Sequence, residues 1–194
     1  MKRGQMPLFT LKPDQTAILV VDVQEKIFTA VERGPEVLNT LCKFIRGAQL
    51  LSIPVIHTEQ YPEGLGETVA PLKNLLGLNS QPWIKTSFSC LQNEKFQSYL
   101  NSLPYTQWIV VGIEAHICVL QTVKDLLKRG NEVVVLNDCL SSRSIYDFST
   151  AIAEMRDDGA RISCAETVIF ELLQDSLHPQ FKAISQLIKS CCRC

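Results

Sequence analysis

Asp22, Lys85 and Cys118 are the residues whose types could combine into a reaction centre. A carboxylate can take a thiol proton. An ammonium group nearby stabilises the thiolate that results and lowers its pKa. The thiolate can then attack an acyl carbon. Taken singly, none of the three is diagnostic. A strand-terminal Asp commonly serves as a turn or cap residue, and an isolated Lys in a strand usually snorkels to solvent. A Cys at a helix start is often a small buried hydrophobe. The interest of the three lies in a shared address.

That address follows from the pattern around them. The stretch Trp108-Ile109-Val110-Val111-Gly112-Ile113-Glu114-Ala115-His116-Ile117-Cys118-Val119 starts as a short apolar run, as a strand buried on both faces would. Gly112 is expected to break the run, with a tight turn and then a helix from about residue 118 to 129, closed by Gly130. Cys118 then sits at a helix start, where the N-terminal field and unpaired N–H groups favour thiolate. Residues 17–22 form a second apolar run ending in Asp22. Lys85 lies in a short strand at 83–86. In a parallel sheet the carboxyl ends of all strands face one edge, where open α/β sheets place their ligand crevice.

The remaining elements alternate. Helical spacing covers residues 35–51, a strand 53–58, and a long loop 59–82 is expected to hold one pair of helical turns near 70–76; loops of that length in compact domains are usually functional. A helix is expected at 94–103 and strands at 107–111, 132–136 and 161–164. Ser144 is a candidate N-cap for a helix reaching Asp158. Terminal helices are expected at 167–173 and 180–190. This order demands an α/β fold, a three-layer α/β/α arrangement with a Rossmann-like six-stranded parallel sheet and helices on both faces.

With 194 residues the chain is expected to form one domain, with loose termini at 1–13 and 191–194. Apolar residues make up 46% and charged residues 20%, ordinary for a globular protein. A net charge of −1 offers no basic field for nucleic acid or a membrane surface, so neither partner is expected. No apolar run approaches a membrane span. Lys2, Arg3 and Lys12 with few acids resemble a mitochondrial presequence, but the segment is short and broken by proline, so the expected compartment is cytoplasmic. Five of the eight cysteines are scattered through helix- and strand-like segments, which suits reduced thiols better than a disulfide framework. The tail Cys191-Cys192-Arg193-Cys194 lacks both C-x-x-C spacing and a histidine partner and reads as a frayed terminus.

Three motifs resemble the isochorismatase-like cysteine hydrolase superfamily: Leu19-Val20-Val21-Asp22-Val23-Gln24, the lysine in Trp83-Ile84-Lys85-Thr86-Ser87-Phe88-Ser89, and Gly112-Ile113-Glu114-Ala115-His116-Ile117-Cys118-Val119. The last of these, with Thr-Glu-Gln-Tyr at 58–61, is most similar to the branch of YcaC-type and isochorismatase domain-containing proteins. The resemblance implies Asp22 as general base and then acid, Lys85 as thiolate stabiliser and Cys118 as nucleophile. It implies a non-proline cis peptide between Ile113 and Glu114, with the backbone N–H groups of Glu114 and Cys118 aimed at an oxyanion. It also implies an oligomer of two, four or more copies.

The nicotinamidases of this superfamily carry an Asp-x-His…His metal site after the second strand. Here that loop reads His57-Thr58-Glu59-Gln60-Tyr61-Pro62-Glu63-Gly64, so no catalytic metal and no cofactor are expected, which argues against nicotinamide. Isochorismatases proper cleave a vinyl ether without a cysteine nucleophile, so Cys118 favours an amide-type hydrolase. Gln24, Gln60, Tyr61, Trp83 and Ile113 are candidates for contacting a small-molecule substrate, against ordinary loop packing. His57 reads as a hydrogen-bonded wall residue. His116 either lines the pocket or packs. Arg143 either binds a carboxylate or makes a salt bridge. The expected activity is hydrolysis of a small amide, imide or carbamoyl C–N bond through a thioester. The competing reading is an oligomeric scaffold that keeps the fold without catalysis.

Overall fold

The computed structural model describes residues 9–77 and 79–190. Six parallel strands form one sheet among these residues: β1 (Thr16–Val21), β2 (Val55–Gln60), β3 (Trp83–Lys85), β4 (Gln107–Ile113), β5 (Glu132–Ser141) and β6 (Arg161–Ser163), in the order β3-β2-β1-β4-β5-β6. The helices are α1 (Glu25–Phe28), α2 (Gly34–Leu50), α3 (Pro62–Leu65), α4 (Ala70–Leu76), α5 (Glu94–Ser102), α6 (Leu120–Lys128), α7 (Ile145–Asp157), α8 (Ala165–Leu173) and α9 (Phe181–Lys189). The order reverses beside β1 and β4, the central pair, and that switch point is where doubly wound sheets open a crevice.

Strand alternation builds the three layers. Ile18, Val20, Ile109, Val111 and Val134 point to one face, where Leu41 and Ile45 of α2, Val168 of α8 and Ile184 of α9 cover them. Ala17, Leu19, Val21, Val110 and Val135 point to the other, against Phe96 of α5, Val123 of α6 and Met155 of α7. Each central strand is thus apolar on both sides, which is why β1 reads as an unbroken hydrophobic run.

Several expected boundaries move. β4 does not stop at Gly112 but continues through it to Ile113. Gly112 has φ +125° and pairs with Val21, and a Cβ there would lie 2.1 Å from the Val21 carbonyl oxygen. The glycine permits close strand approach; it does not end the strand. β5 runs past residue 136 to Ser141, because it bulges: Val110 pairs with Val135, while Gly112 pairs with Leu140. The polar Asn137 and Asp138 sit in that bulge and disguised the continuation. The loop at 59–82 carries two helices, α3 and α4. It is stapled by Glu59, whose Oε1 accepts from the Thr68 backbone N–H at 2.6 Å and the Thr68 hydroxyl at 2.7 Å.

Residues 9–13, expected to be loose, are tied down. Leu11 is fully buried, its N–H donates to Glu171 Oε1 at 2.7 Å, and the Lys12 N–H donates to Gln107 Oε1 at 2.7 Å. A lead-in with satisfied backbone groups and a core side chain is part of the fold. Lys2 and Arg3 of the presequence-like segment, and the Cys191-Cys192-Arg193-Cys194 tail, lie outside the described residues. No helix among the described residues is long and apolar enough to cross a membrane.

Candidate active site

The three chemistry-bearing residues meet at the carboxyl edge of the central strands. Asp22 follows β1 immediately, and its φ of +49° turns the carboxylate out of the strand alternation. Lys85 ends β3. Lys85 Nζ lies 2.6 Å from Asp22 Oδ2, and both side chains are almost wholly buried. The pair is held by fixed dipoles. Thr58 Oγ1 donates to Asp22 Oδ1 at 2.7 Å, and Lys85 Nζ also donates to the carbonyls of Ser87 and Phe88, each at 3.1 Å. Burial works against the Lys85 charge, but the Asp22 carboxylate outweighs it and holds the ammonium above its ordinary pKa.

Cys118 lies in a single π-helical turn, Ala115–Val119, that links β4 to α6; the Val119 N–H reaches back five residues to the Glu114 carbonyl at 3.3 Å. Such wide turns recur at functional sites. The regular helix starts later than expected, at Leu120. The Cys118 thiol donates to Gln60 Oε1 at 3.1 Å, and Lys85 Nζ donates to the same oxygen at 3.2 Å. Burial, then the Asp22 charge, push the Cys118 thiol well up, with Lys85 pulling the other way. These directions run against a thiolate favoured by the helix terminus: the sulfur is buried beside a carboxylate that already engages the cation. Cys90 is buried behind it, with Sγ 3.7 Å from Thr58 Oγ1, and burial pushes its thiol up to about 11.

Cys118 opens into a cavity of about 280 Å3. Ile27, Leu65, Phe88 and Ile117 form its apolar wall, and Lys26, Glu114 and Arg143 its polar part. The peptide bond before Glu114 is cis. Arg143 Nε donates to Glu114 Oε1 at 2.9 Å.

An Isochorismatase domain model matches residues 16–167, a span holding all three residues. The chain is 41% identical to isochorismatase domain-containing protein 2 of Homo sapiens over 178 residues, 91% of this chain and 84% of that protein.

The chain belongs to the isochorismatase family.

Among solved structures it is similar to one from Caenorhabditis elegans described as MAR1 ribonuclease, at 40% identity and a TM-score of 0.88, over 96% of this chain and 95% of that one. The Escherichia coli YcaC protein, described as an octameric hydrolase of unknown specificity, shares the fold at 21% identity and a TM-score of 0.88, over 94% and 90% of the two chains.

Within this isochorismatase-family site, the substrate-contact candidates divide. Gln60 lines the cavity. Gln24 does not; it is buried and clamps backbone, donating to the carbonyls of Gln60 at 3.0 Å and Gly66 at 2.6 Å while accepting from the Gln60 N–H at 2.8 Å. Trp83 is turned away from the cavity: it stacks on Tyr99 at 4.8 Å between ring centroids and packs against Phe96 at 5.3 Å. Its indole belongs to the α5 layer, where a large aromatic buries most area. Tyr61 is exposed, with φ +39°, and does not line the cavity; Ile113 is buried in the core.

Burial lowers the His57 pKa, against the Glu59 charge, and its Nδ1 lies 3.3 Å from Ser80 Oγ. His116 bonds Ser142 Oγ at 3.0 Å and does not line the cavity. Among the described residues, no group of three or more His, Cys, Asp or Glu side chains is placed to hold a metal ion. Sequence reasoning missed Thr58 and Phe88, although both stand inside quoted motifs, because a hydroxyl and a phenyl carry no signal of their own until the chain is folded.

Proposed function

We propose that this isochorismatase-family protein is a cysteine hydrolase that cleaves the C–N bond of a small amide, imide or carbamoyl compound. The observation that supports it most directly is the convergence of the buried Asp22–Lys85 pair with Cys118, the member of the three that lines a small cavity. The volume, about 280 Å3, sits at the lower end for small-ligand sites and suits a small molecule.

The steps follow from the placement. As sulfur attacks the acyl carbon, the Cys118 S–H proton passes to Asp22, and Lys85 stabilises the negative charge on sulfur as it develops. The acyl oxygen takes the charge of the tetrahedral intermediate, with the backbone N–H groups of Glu114 and Cys118 as its donors. The C–N bond breaks, Asp22 returns the proton to nitrogen, and ammonia or an amine leaves. Water then attacks the thioester with Asp22 taking its proton. The C–S bond breaks, an acid is released, and sulfur recovers its proton from Asp22. No metal or cofactor enters these steps.

The raised thiol supports activation on attack over a standing thiolate. Mass spectrometry of intact protein with a panel of small amides, nitriles and carbamoyl compounds tests the reading, with ammonia release measured in parallel. The expected result is turnover and an adduct on Cys118, both lost in Cys118→Ala. A panel without adduct or turnover moves the reading to an oligomeric scaffold. The name of the Caenorhabditis elegans neighbour adds a ribonuclease reading, so a labelled RNA belongs in the panel. RNA cleavage that survives repurification and is lost in Cys118→Ala would replace the amide reading.

A further inference from the structure

We propose that the cavity at Cys118 selects a small monoanion: a substrate with a carboxylate at one end, a short apolar middle, and the reacting acyl group at the other end. The proposal rests on the hydrolase reading only for which end reacts; the anion site itself stands on the lining of the cavity.

The charged side chains lining the cavity are Lys26, Arg143 and Glu114. Two are cationic and one anionic, which leaves one positive charge in excess. The Asp22–Lys85 pair beneath is internally neutralised. Glu114 does not cancel Arg143 as a ligand site, because it engages only Nε, at 2.9 Å. That is the one hydrogen bond Arg143 makes among the described residues. Its Nη1 and Nη2 groups therefore remain uncommitted, on a guanidinium that Glu114 holds in place at one corner. Two parallel N–H donors on a fixed plane match a carboxylate. The Arg143 side chain is 58% exposed, so a ligand reaches it without opening the fold.

Lys26 stands on the same cavity, its Nζ donating to the Gly64 carbonyl at 2.7 Å. This bond uses one of three donors and keeps the ammonium at the α1–α3 side. Between the cations and Cys118 the wall is apolar, with Ile27, Leu65, Phe88 and Ile117. A neutral, wholly apolar amide would leave the one excess positive charge uncompensated and the Arg143 Nη groups without a ligand acceptor. A second charge or a bulky ring system exceeds what about 280 Å3 and one excess positive charge accommodate.

Two readouts test it at pH 8. The first is protection of Cys118 from iodoacetamide by butanoate, an anion that cannot be hydrolysed, compared with neutral butanamide. Butanoate is expected to protect saturably and at about tenfold lower concentration than butanamide. Arg143→Met is expected to remove that difference, and Arg143→Lys to restore part of it. The second is kcat/KM for succinamate against butanamide, with an expected preference for succinamate of about tenfold or more that collapses in Arg143→Met.

Equal protection by the two compounds, or protection unchanged in Arg143→Met, overturns the anion site. Equal turnover of succinamate and butanamide overturns it too, while leaving the hydrolase reading intact. Arg143-dependent protection by butanoate with no turnover of any amide supports the anion site and removes the hydrolase reading. Arg143 is a surface cation, so its variants are expected to fold; circular dichroism verifies this before either readout.

Discussion

The Cys118 thiol donates to Gln60 Oε1 at 3.1 Å, and Lys85 reaches that same oxygen at 3.2 Å. One side-chain carbonyl thus serves the sulfur and the cation together. A hydrogen bond to the neutral form of an acid opposes its ionisation, so Gln60 helps hold Cys118 as a thiol. Gln60→Leu keeps the approximate size and removes the acceptor. Cys118 alkylation by iodoacetamide at pH 8 is expected to speed up about two- to fivefold. Rates from intact-protein mass spectrometry check this, and an unchanged or slower rate means the contact does not govern the thiol.

The buried thiols make stability depend on alkaline pH. Burial raises both Cys90, to about 11, and Cys118, above an ordinary value of 9.0. In the unfolded chain the thiols ionise at the ordinary value, while in the folded chain they stay protonated. Rising pH therefore favours the unfolded state. The contribution is complete below pH 9 and fades as pH climbs from 9 towards 11. Urea midpoints are expected to fall between pH 8.5 and 10.5, and to fall less in Cys90→Val. A flat profile, or one unaffected by Cys90→Val, contradicts the assignment.

The Asp22–Lys85 pair is more costly to break than to delete. Its side chains are 0% and 2% exposed, so removing one partner leaves a buried charge unpaired. Lys85→Met is expected to cost about 3–5 kcal/mol. Adding Asp22→Asn to Lys85→Met recovers part of the loss, because the orphaned carboxylate is gone. A double-mutant cycle in urea measures the coupling, and additive single effects would refute a direct pair.

Gly112→Ala tests the strand junction that brings Asp22 and Cys118 together. The new Cβ would stand 2.1 Å from the Val21 carbonyl oxygen, at a φ of +125° that L-residues rarely adopt. β1 and β4 must separate where each delivers its site residue. Destabilisation of about 3 kcal/mol or more is expected. Gly130→Ala is the control: φ is also positive, at +81°, but nothing lies within 4 Å, so only the conformational cost remains. Thermal unfolding of the two variants separates clash from backbone preference, and equal losses would mean there is no clash.

The sequence by itself determined the layers and the place of the chemistry. Continuous apolar runs such as 17–21 and 108–111, short and rich in Val and Ile, read as strands buried on both faces, and their alternation with helices then points to a parallel sheet. Because parallel strands all end at one edge, Asp22, Lys85 and Cys118 could be brought to one place without knowing any contact. Three local features needed the fold. Gly112 looked like a strand end because a missing side chain reads the same whether it permits a turn or a close approach. Asn137 and Asp138 looked like a loop because a bulge and a loop share their polarity. Trp83 looked like a pocket wall because its position at the site edge says nothing of which layer takes the indole; Tyr99 and Phe96 took it.

Charge pairing and cavity lining were decided by the tertiary structure alone. Burial first, and then the Asp22 carboxylate that lies 2.6 Å from Lys85 Nζ, push the Cys118 thiol up, and both come from the packing of separate elements. Whether Arg143 faces solvent, a partner or the cavity depends on Glu114, 29 positions away in sequence, catching its Nε. Periodicity reports how each residue meets its own element. Charge pairing and cavity lining arise between elements, from distances that no local pattern encodes.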